Sequence, residues 1–158
     1  MTVCAIRREV PDATPDDLAW LRGPEALDDV LRAADYLAIT LSLNDATRGL
    51  IGARELALMK PSALLVNTSR GPIVDEQALA EALKRGTLAG AGIDVYAEEP
   101  IPRDHPLLSA PNTVLTPHLG YVTREEYELQ FSDIFDQIVA YANGAPINVV
   151  NPEVLNKR

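Results

Sequence analysis

Three short polar stretches hold the residues with chemistry to offer: NTSRG (67–71), DVYAEEP (94–100) and TPHLG (116–120). Each follows an apolar, β-prone run, so Arg70, Glu99 and His118 are expected in loops at strand ends. In open α/β sheets ligands bind outside the carboxyl ends of strands, which puts the fixed charge of Arg70 where an anionic substrate can meet it. A guanidinium grips a carboxylate with two parallel hydrogen bonds, which lysine cannot do. Histidine is the side-chain type ordinarily used for proton transfer near neutral pH, which makes His118 a candidate acid/base. Taken singly, each has a blander reading: a solvated loop arginine, a surface glutamate, a strand-end histidine making an ordinary hydrogen bond. Their arrival at three strand ends is what suggests a shared site.

The elements that must position them are legible as alternating strands and helices. Residues 2–6 read as a strand followed by a charged, proline-bearing loop, and residues 19–21 as a short extended piece. Leu27, Val30, Leu31 and Ala34 have helical spacing. Residues 36–43 (YLAITLSL) read as a strand, 53–60 as a short helix ended by Pro61, and 63–67 as the strand before Arg70. Asp75 offers a helix N-cap, Ala78, Leu79, Ala82 and Leu83 a buried stripe, and Gly86 a stop. Residues 88–95 predict another buried strand, with Gly90 and Gly92 there for close backbone packing. Residues 113–119 predict a strand that ends at His118. Thr123 and Glu126 form a capping box opening a long helix to about Asn143, whose Tyr127, Phe131, Ile134, Phe135, Ile138 and Val139 are spaced for a core. His105 reads as an exposed loop residue, Cys4 as a small buried apolar residue, and Trp20 as core or interface packing. The alternation predicts an α/β fold, doubly wound around a mostly parallel sheet with helices on both faces.

Composition narrows the function classes. The 158 residues fit one domain, and 47% hydrophobic with 23% charged residues can bury a core. A formal net charge of -9 without a basic cluster argues against nucleic acid or an anionic membrane as partner. One cysteine and two histidines make no zinc-ligand set, so no metal is expected, and a reducing cytoplasm is the default compartment. No signal pattern opens the chain, and no apolar run approaches the roughly 20 residues of a membrane helix.

Read together, NTSRG, DVYAEEP and TPHLG resemble the nucleotide-binding domain of the D-isomer-specific 2-hydroxyacid dehydrogenases, the family of phosphoglycerate, glyoxylate and hydroxypyruvate reductases. Residues 41–71, 78–95 and the terminal NVVNPE extend the likeness along most of the chain. The resemblance implies NAD- or NADP-dependent hydride transfer between cofactor and a small 2-hydroxy or 2-keto acid. It further implies that Arg70 holds the substrate carboxylate, that His118 is the acid/base, and that Glu99, directly before Pro100, orients His118. Asp94 would accept from the nicotinamide carboxamide, and the backbone of Asn67, Thr68 and Ser69, with Gly120, would flank the same ring. By the fingerprint logic, an acidic residue after the second strand selects NAD, whereas arginine there accommodates the 2′-phosphate of NADP. Arg7 occupies that position and Arg8 follows it, so NADP is favoured.

The sequence departs from the family in one respect that matters. It contains no strand-linked G-x-G-x-x-G, and against the usual strand order 3-2-1-4-5-6 it reads as residues 1–158 of a partial Rossmann domain, truncated on its N-terminal side, with the first strand and the substrate-side domain absent. An open seam in the sheet is expected, which a complementing chain, an exchange within a homo-oligomer or a rearranged pairing would fill. Cofactor binding by the isolated chain is expected to be weak or absent. The alternative to an enzyme is a catalytically silent remnant serving as an interaction or structural module.

Overall fold

Short apolar runs form the strands, and the stretches between them form helices. In order these are β1 (Cys4–Ile6), β2 (Trp20–Arg22), α1 (Leu27–Ala33), β3 (Tyr36–Ile39), α2 (Ala53–Leu58), β4 (Leu64–Asn67), α3 (Glu76–Arg85), β5 (Gly90–Ile93), β6 (Thr113–Leu115) and α4 (Arg124–Ala142). The computed structural model describes residues 1–157, which fall into two units, one ending at His118 and the other starting at Leu119.

In the first unit every strand pair is parallel, as the α/β reading requires. β1 pairs with β2 in a two-stranded sheet, and β3-β4-β5-β6 form a second sheet in that order. The two sheets share no strand pairing among the described residues. Leu31 of α1, Leu56 of α2, Leu79 and Leu83 of α3, Leu65 of β4 and Ile93 of β5 belong to one buried cluster, which puts the three helices on the same face of the four-stranded sheet. The parallel, helix-flanked sheet is the α/β fold expected from sequence, and the other face of its strands carries a second set of side chains. Strand pairing aligns Tyr36 with Leu64, and Ala38 with Val66, Gly92 and Val114, and of these Tyr36 and Val114 are 67% and 69% exposed. Alternation sends half of each strand's side chains to either face, and an apolar run does not record which face its neighbours cover.

α3 forms as its end signals dictate. The Asp75 carboxylate accepts the Ala78 N–H at 2.9 Å, and Gly86 stops the helix with φ of 69°, a left-handed conformation that costs glycine nothing. Two strands are shorter than predicted. β3 ends at Ile39 because the chain then enters a turn where the Thr47 hydroxyl donates to the Ser42 carbonyl and the Asn44 side chain accepts from Ala46. β6 ends at Leu115, two residues before Pro117, which has no N–H for a ladder. His118 thus sits in the following turn and not on the strand. Gly90 does serve close packing, since a Cβ there would lie 2.9 Å from the Asn112 carbonyl oxygen, whereas Gly92 has ordinary room.

Burial corrects two further expectations. Cys4 is exposed, because β1 belongs to a two-stranded ribbon. His105 is not a loop-surface residue: its side chain is only 12% exposed. Trp20 is partly exposed beneath the Arg22 guanidinium, 4.7 Å from its ring centroid, a cation–π contact.

The second unit holds α4 and a terminal 3-10 segment, Pro152–Lys157. The Thr123 side chain accepts the Glu126 N–H at 3.1 Å, one half of the predicted capping box. The stripe of α4 is not core: Tyr127, Phe131, Ile134, Phe135, Ile138 and Val139 are all at least 41% exposed. Helical periodicity shows that a helix has a face to bury, but not that the same unit supplies a partner. Among the described residues no helix is long and apolar enough to cross a membrane.

Candidate active site

The loop carrying Arg70 is shaped by its own side chains. Asn67, 1% exposed at the end of β4, accepts the Ser69 N–H at 3.1 Å and donates to the Arg70 carbonyl at 3.0 Å. The Asn67 amide group is thereby committed to the turn. The Ser69 hydroxyl donates to the Leu41 carbonyl. Beyond Arg70 the chain is clamped by residues 49–51: Gly49 N–H to Pro72 O at 2.8 Å, Ile51 N–H to Ile73 O at 3.0 Å, and Asp75 N–H to Ile51 O at 2.9 Å. Arg70 itself is exposed, with Nη1 donating to the Ser69 carbonyl at 2.6 Å.

Glu99 and His118 meet. The His118 Nδ1 lies 2.8 Å from Glu99 Oε2, while Glu99 Oε1 accepts the Tyr96 N–H at 2.9 Å, so each carboxylate oxygen has its own partner. The Glu99–Pro100 peptide is cis. His118 has φ of 59°, unusual for a residue with a Cβ and costing on the order of 1 kcal/mol. Its N–H donates to the Asp94 carbonyl at 2.8 Å, which ties this turn to the end of β5. Backbone held in a sparsely populated conformation by surrounding bonds is a frequent mark of a functional site. The hydrogen bond from His118, and next that from the Tyr96 N–H, hold the Glu99 carboxyl below the ordinary carboxylate range, and the charge of Arg70 adds to the effect. Glu99 and His118 thus meet directly, whereas the guanidinium of Arg70 donates to the Ser69 carbonyl of its own loop.

The remaining candidates fall in four places. Asp94 is 5% exposed, and its carboxylate accepts the Thr116 hydroxyl. Thr68 is exposed on the Arg70 loop. Arg7 and Arg8 are exposed after β1, the Arg7 N–H donating to the Arg22 carbonyl at 2.9 Å and Arg8 lying 4.0 Å from Glu9. Gly120 belongs to the second unit. Among the described residues no group of three or more His, Cys, Asp or Glu side chains is placed to hold a metal. Beside the Glu99–His118 pair lies a cleft of 310 Å³ walled by Tyr96, Pro100, Ile101, Leu108 and Leu115. A larger cleft of 370 Å³ between α2 and α3 is lined chiefly by apolar side chains, with Arg85 its one charge, and touches none of these candidates. The smaller cleft is the one that adjoins the chemistry.

Sequence reasoning missed Gly71. A Cβ there would lie 1.9 Å from the Tyr96 carbonyl carbon and 2.3 Å from the Ala97 nitrogen. The Arg70 loop and the Glu99 loop therefore touch backbone to backbone. Read as a helix breaker after Arg70, Gly71 had no visible second duty, because its contact is 25 residues away in sequence.

Two outcomes follow from this geometry. Gly71→Ala must push the 96–97 backbone away, and should destabilise the chain by about 1–3 kcal/mol in urea unfolding, the usual cost of overpacking. Glu99 has a lowered pKa in the fold, so it contributes stability above its unfolded pKa and loses it as pH falls through the folded value. Urea midpoints followed from pH 6 downward should show wild type more stable than Glu99→Gln, with the gap closing below roughly pH 4, the ordinary range of glutamate. A gap that persists at lower pH would contradict the pairing.

Comparison with known proteins fits the geometry. Residues 1–120 match the family described as D-isomer specific 2-hydroxyacid dehydrogenase, NAD binding domain. The chain is 48% identical over 130 residues to glyoxylate/hydroxypyruvate reductase B of Pectobacterium carotovorum, covering 82% of this chain and 41% of that protein. The crystal structure of a D-isomer specific 2-hydroxyacid dehydrogenase from Xanthobacter autotrophicus Py2 superposes with a TM-score of 0.78 at 34% identity, over 92% of this chain and 47% of the other. A second structure of such an enzyme from that organism, in complex with NADPH and MES, gives a TM-score of 0.72 at 34% identity over 95% and 61%. The chain spans about two fifths of the length of the reductases it resembles, and it belongs to the D-isomer specific 2-hydroxyacid dehydrogenase family.

Proposed function

We propose that this chain supplies the nicotinamide-binding half of an oxidoreductase that moves hydride between a nicotinamide cofactor and a small D-2-hydroxy acid or its 2-keto acid, such as hydroxypyruvate or glyoxylate. The observation that carries the reading is the His118–Glu99 pair at 2.8 Å.

Arg70 binds the substrate carboxylate and polarises the adjacent carbonyl. With Nδ1 engaged by Glu99, proton exchange with substrate falls to His118 Nε2, which gives its proton to the carbonyl oxygen in reduction and takes it from the hydroxyl in oxidation. Glu99 holds the ring in orientation through Nδ1. The cofactor supplies or accepts the hydride when bound. The side chains present fit its two ends: a buried acceptor carboxylate at Asp94 beside the Asn67, Thr68 and Ser69 backbone for a carboxamide, and the exposed guanidinium groups of Arg7 and Arg8 for a phosphate. For Gly120 the family resemblance is the sole support. The arginines favour NADP over NAD, and the Xanthobacter relative solved with NADPH is in keeping with that.

The decisive experiment is turnover in an enzyme completed by the glycine-loop unit and a substrate domain. His118→Ala and Arg70→Ala should each lower kcat by at least about a hundredfold with hydroxypyruvate, the scale of lost acid–base or positioning help. Turnover undiminished in His118→Ala would remove the proton-transfer role. The cofactor reading has its own check. Calorimetric titration of the chain with NADPH and NADH should give millimolar affinity or weaker, because no glycine loop joins the two ends. In the completed enzyme kcat/KM should favour NADPH and lose that preference in Arg7→Ala, whereas a preference for NADH indifferent to that change would overturn it.

A further inference from the structure

The second histidine is built into the support of the first. His105 is 12% exposed and Glu76, the first residue of α3, 13% exposed at the side chain; His105 Nε2 lies 3.0 Å from Glu76 Oε2. His105 Nδ1 accepts the Leu107 N–H at 3.3 Å, which assigns the ring proton to Nε2 and makes it the donor to Glu76. The other oxygen of Glu76, Oε1, accepts the Ala97 N–H at 2.9 Å. Ala97 follows Tyr96, whose own N–H holds Glu99 Oε1, so successive amides of one turn are held by two different carboxylates. The Tyr96 ring stands edge-on to His105 with centroids 6.1 Å apart. Its hydroxyl lies 3.2 Å from the Ile93 carbonyl and 3.1 Å from that of Thr116, two residues before His118.

We infer that Glu76 and His105 are positioning residues that lock the Tyr96–Ala97 turn and so set the Glu99 carboxylate against His118. Beyond each other, the pair's hydrogen bonds are with the Ala97 and Leu107 amides. The pair acts on the Glu99 side of the dyad, by fixing the turn from which that carboxylate is presented, and through Tyr96 on the turn that carries His118. A carboxylate in the first turn of α3 is favourably placed for the role, since it is also stabilised by the helix dipole. Its meaning for catalysis rests on the oxidoreductase reading, but the geometry itself can be tested without substrate or cofactor.

The test is the titration of Glu99, followed by carboxyl carbon NMR in this chain and assigned with Glu99→Gln. The charged groups facing Glu99 are His118 and Arg70, and both are retained in every variant. Glu76→Ala and His105→Ala should each move the Glu99 midpoint up by about half a pH unit or more, the scale on which hydrogen bonds to the charged form shift a carboxyl. The double variant should move it no further than Glu76→Ala, because the two act in series. His105→Gln retains an N–H near the Nε2 position and should leave the midpoint within about 0.2 units of wild type. Should Glu76→Ala fail to fold, Glu76→Gln keeps the volume but weakens the acceptor, and a smaller shift in the same direction is expected. An unmoved Glu99 midpoint in folded Glu76→Gln or His105→Ala overturns the inference. So does a shift in His105→Gln as large as in His105→Ala, which would make ring packing, not the hydrogen bond, the cause. A moved midpoint with no hydride transfer in the completed enzyme leaves the support standing and removes the oxidoreductase reading; normal turnover with an unmoved midpoint does the reverse.

Discussion

Two backbones meet at Gly71 with no space for a methyl group, and the arrangement of the candidate site depends on that contact. The loop after β4 brings Arg70, and the loop after β5 brings Glu99. Were the residue after Arg70 anything larger, the two loops would be forced apart. Packing at this point is steric and short-ranged, so it fixes the separation of the two backbones.

Around that contact the site is made rigid by groups that do no chemistry themselves. Asn67 spends its amide on the turn, and residues 49–51 clamp the chain that follows Arg70. Glu76 and Glu99 divide the two amides of Tyr96 and Ala97 between them, while the Tyr96 hydroxyl reaches the carbonyls at the ends of two neighbouring strands. A hydrogen bond of this kind contributes about 1 kcal/mol to stability, but its larger effect is to remove alternatives for the dyad, since proton transfer depends on distance and direction. His118 pays for its direction with a left-handed backbone, held by the Asp94 carbonyl.

Four strands carry helices on one face, a two-stranded ribbon stands separately, and the exposed side of Tyr36, Leu64, Val66 and Val114 is as apolar as a covered one. The apolar face of α4 is exposed in its own unit. These surfaces belong to a chain that matches about two fifths of its relatives' length, and they are where the parallel architecture leaves backbone edges and apolar area uncovered.

Much of this was open to reading in the chain itself. Local physics sufficed for α3, where the Asp75 cap, the leucine and alanine stripe and Gly86 lie within twelve residues, and for the strand–loop–helix rhythm that places Arg70, Glu99 and His118 at successive strand ends. What a residue touches across the fold was not open to it. Cys4, His105 and the stripe of α4 were misread for one reason: residue type and spacing state a preference for burial, and only the packing of distant segments satisfies or denies it. Gly71 against Tyr96, Glu76 against Ala97 and Glu99 against His118 are separated by 25, 21 and 19 residues. The sequence determined which chemistry was on offer and on which elements it rides; tertiary structure decided which groups meet, because contacts at that separation arise from how strands order themselves in a sheet and not from any local pattern.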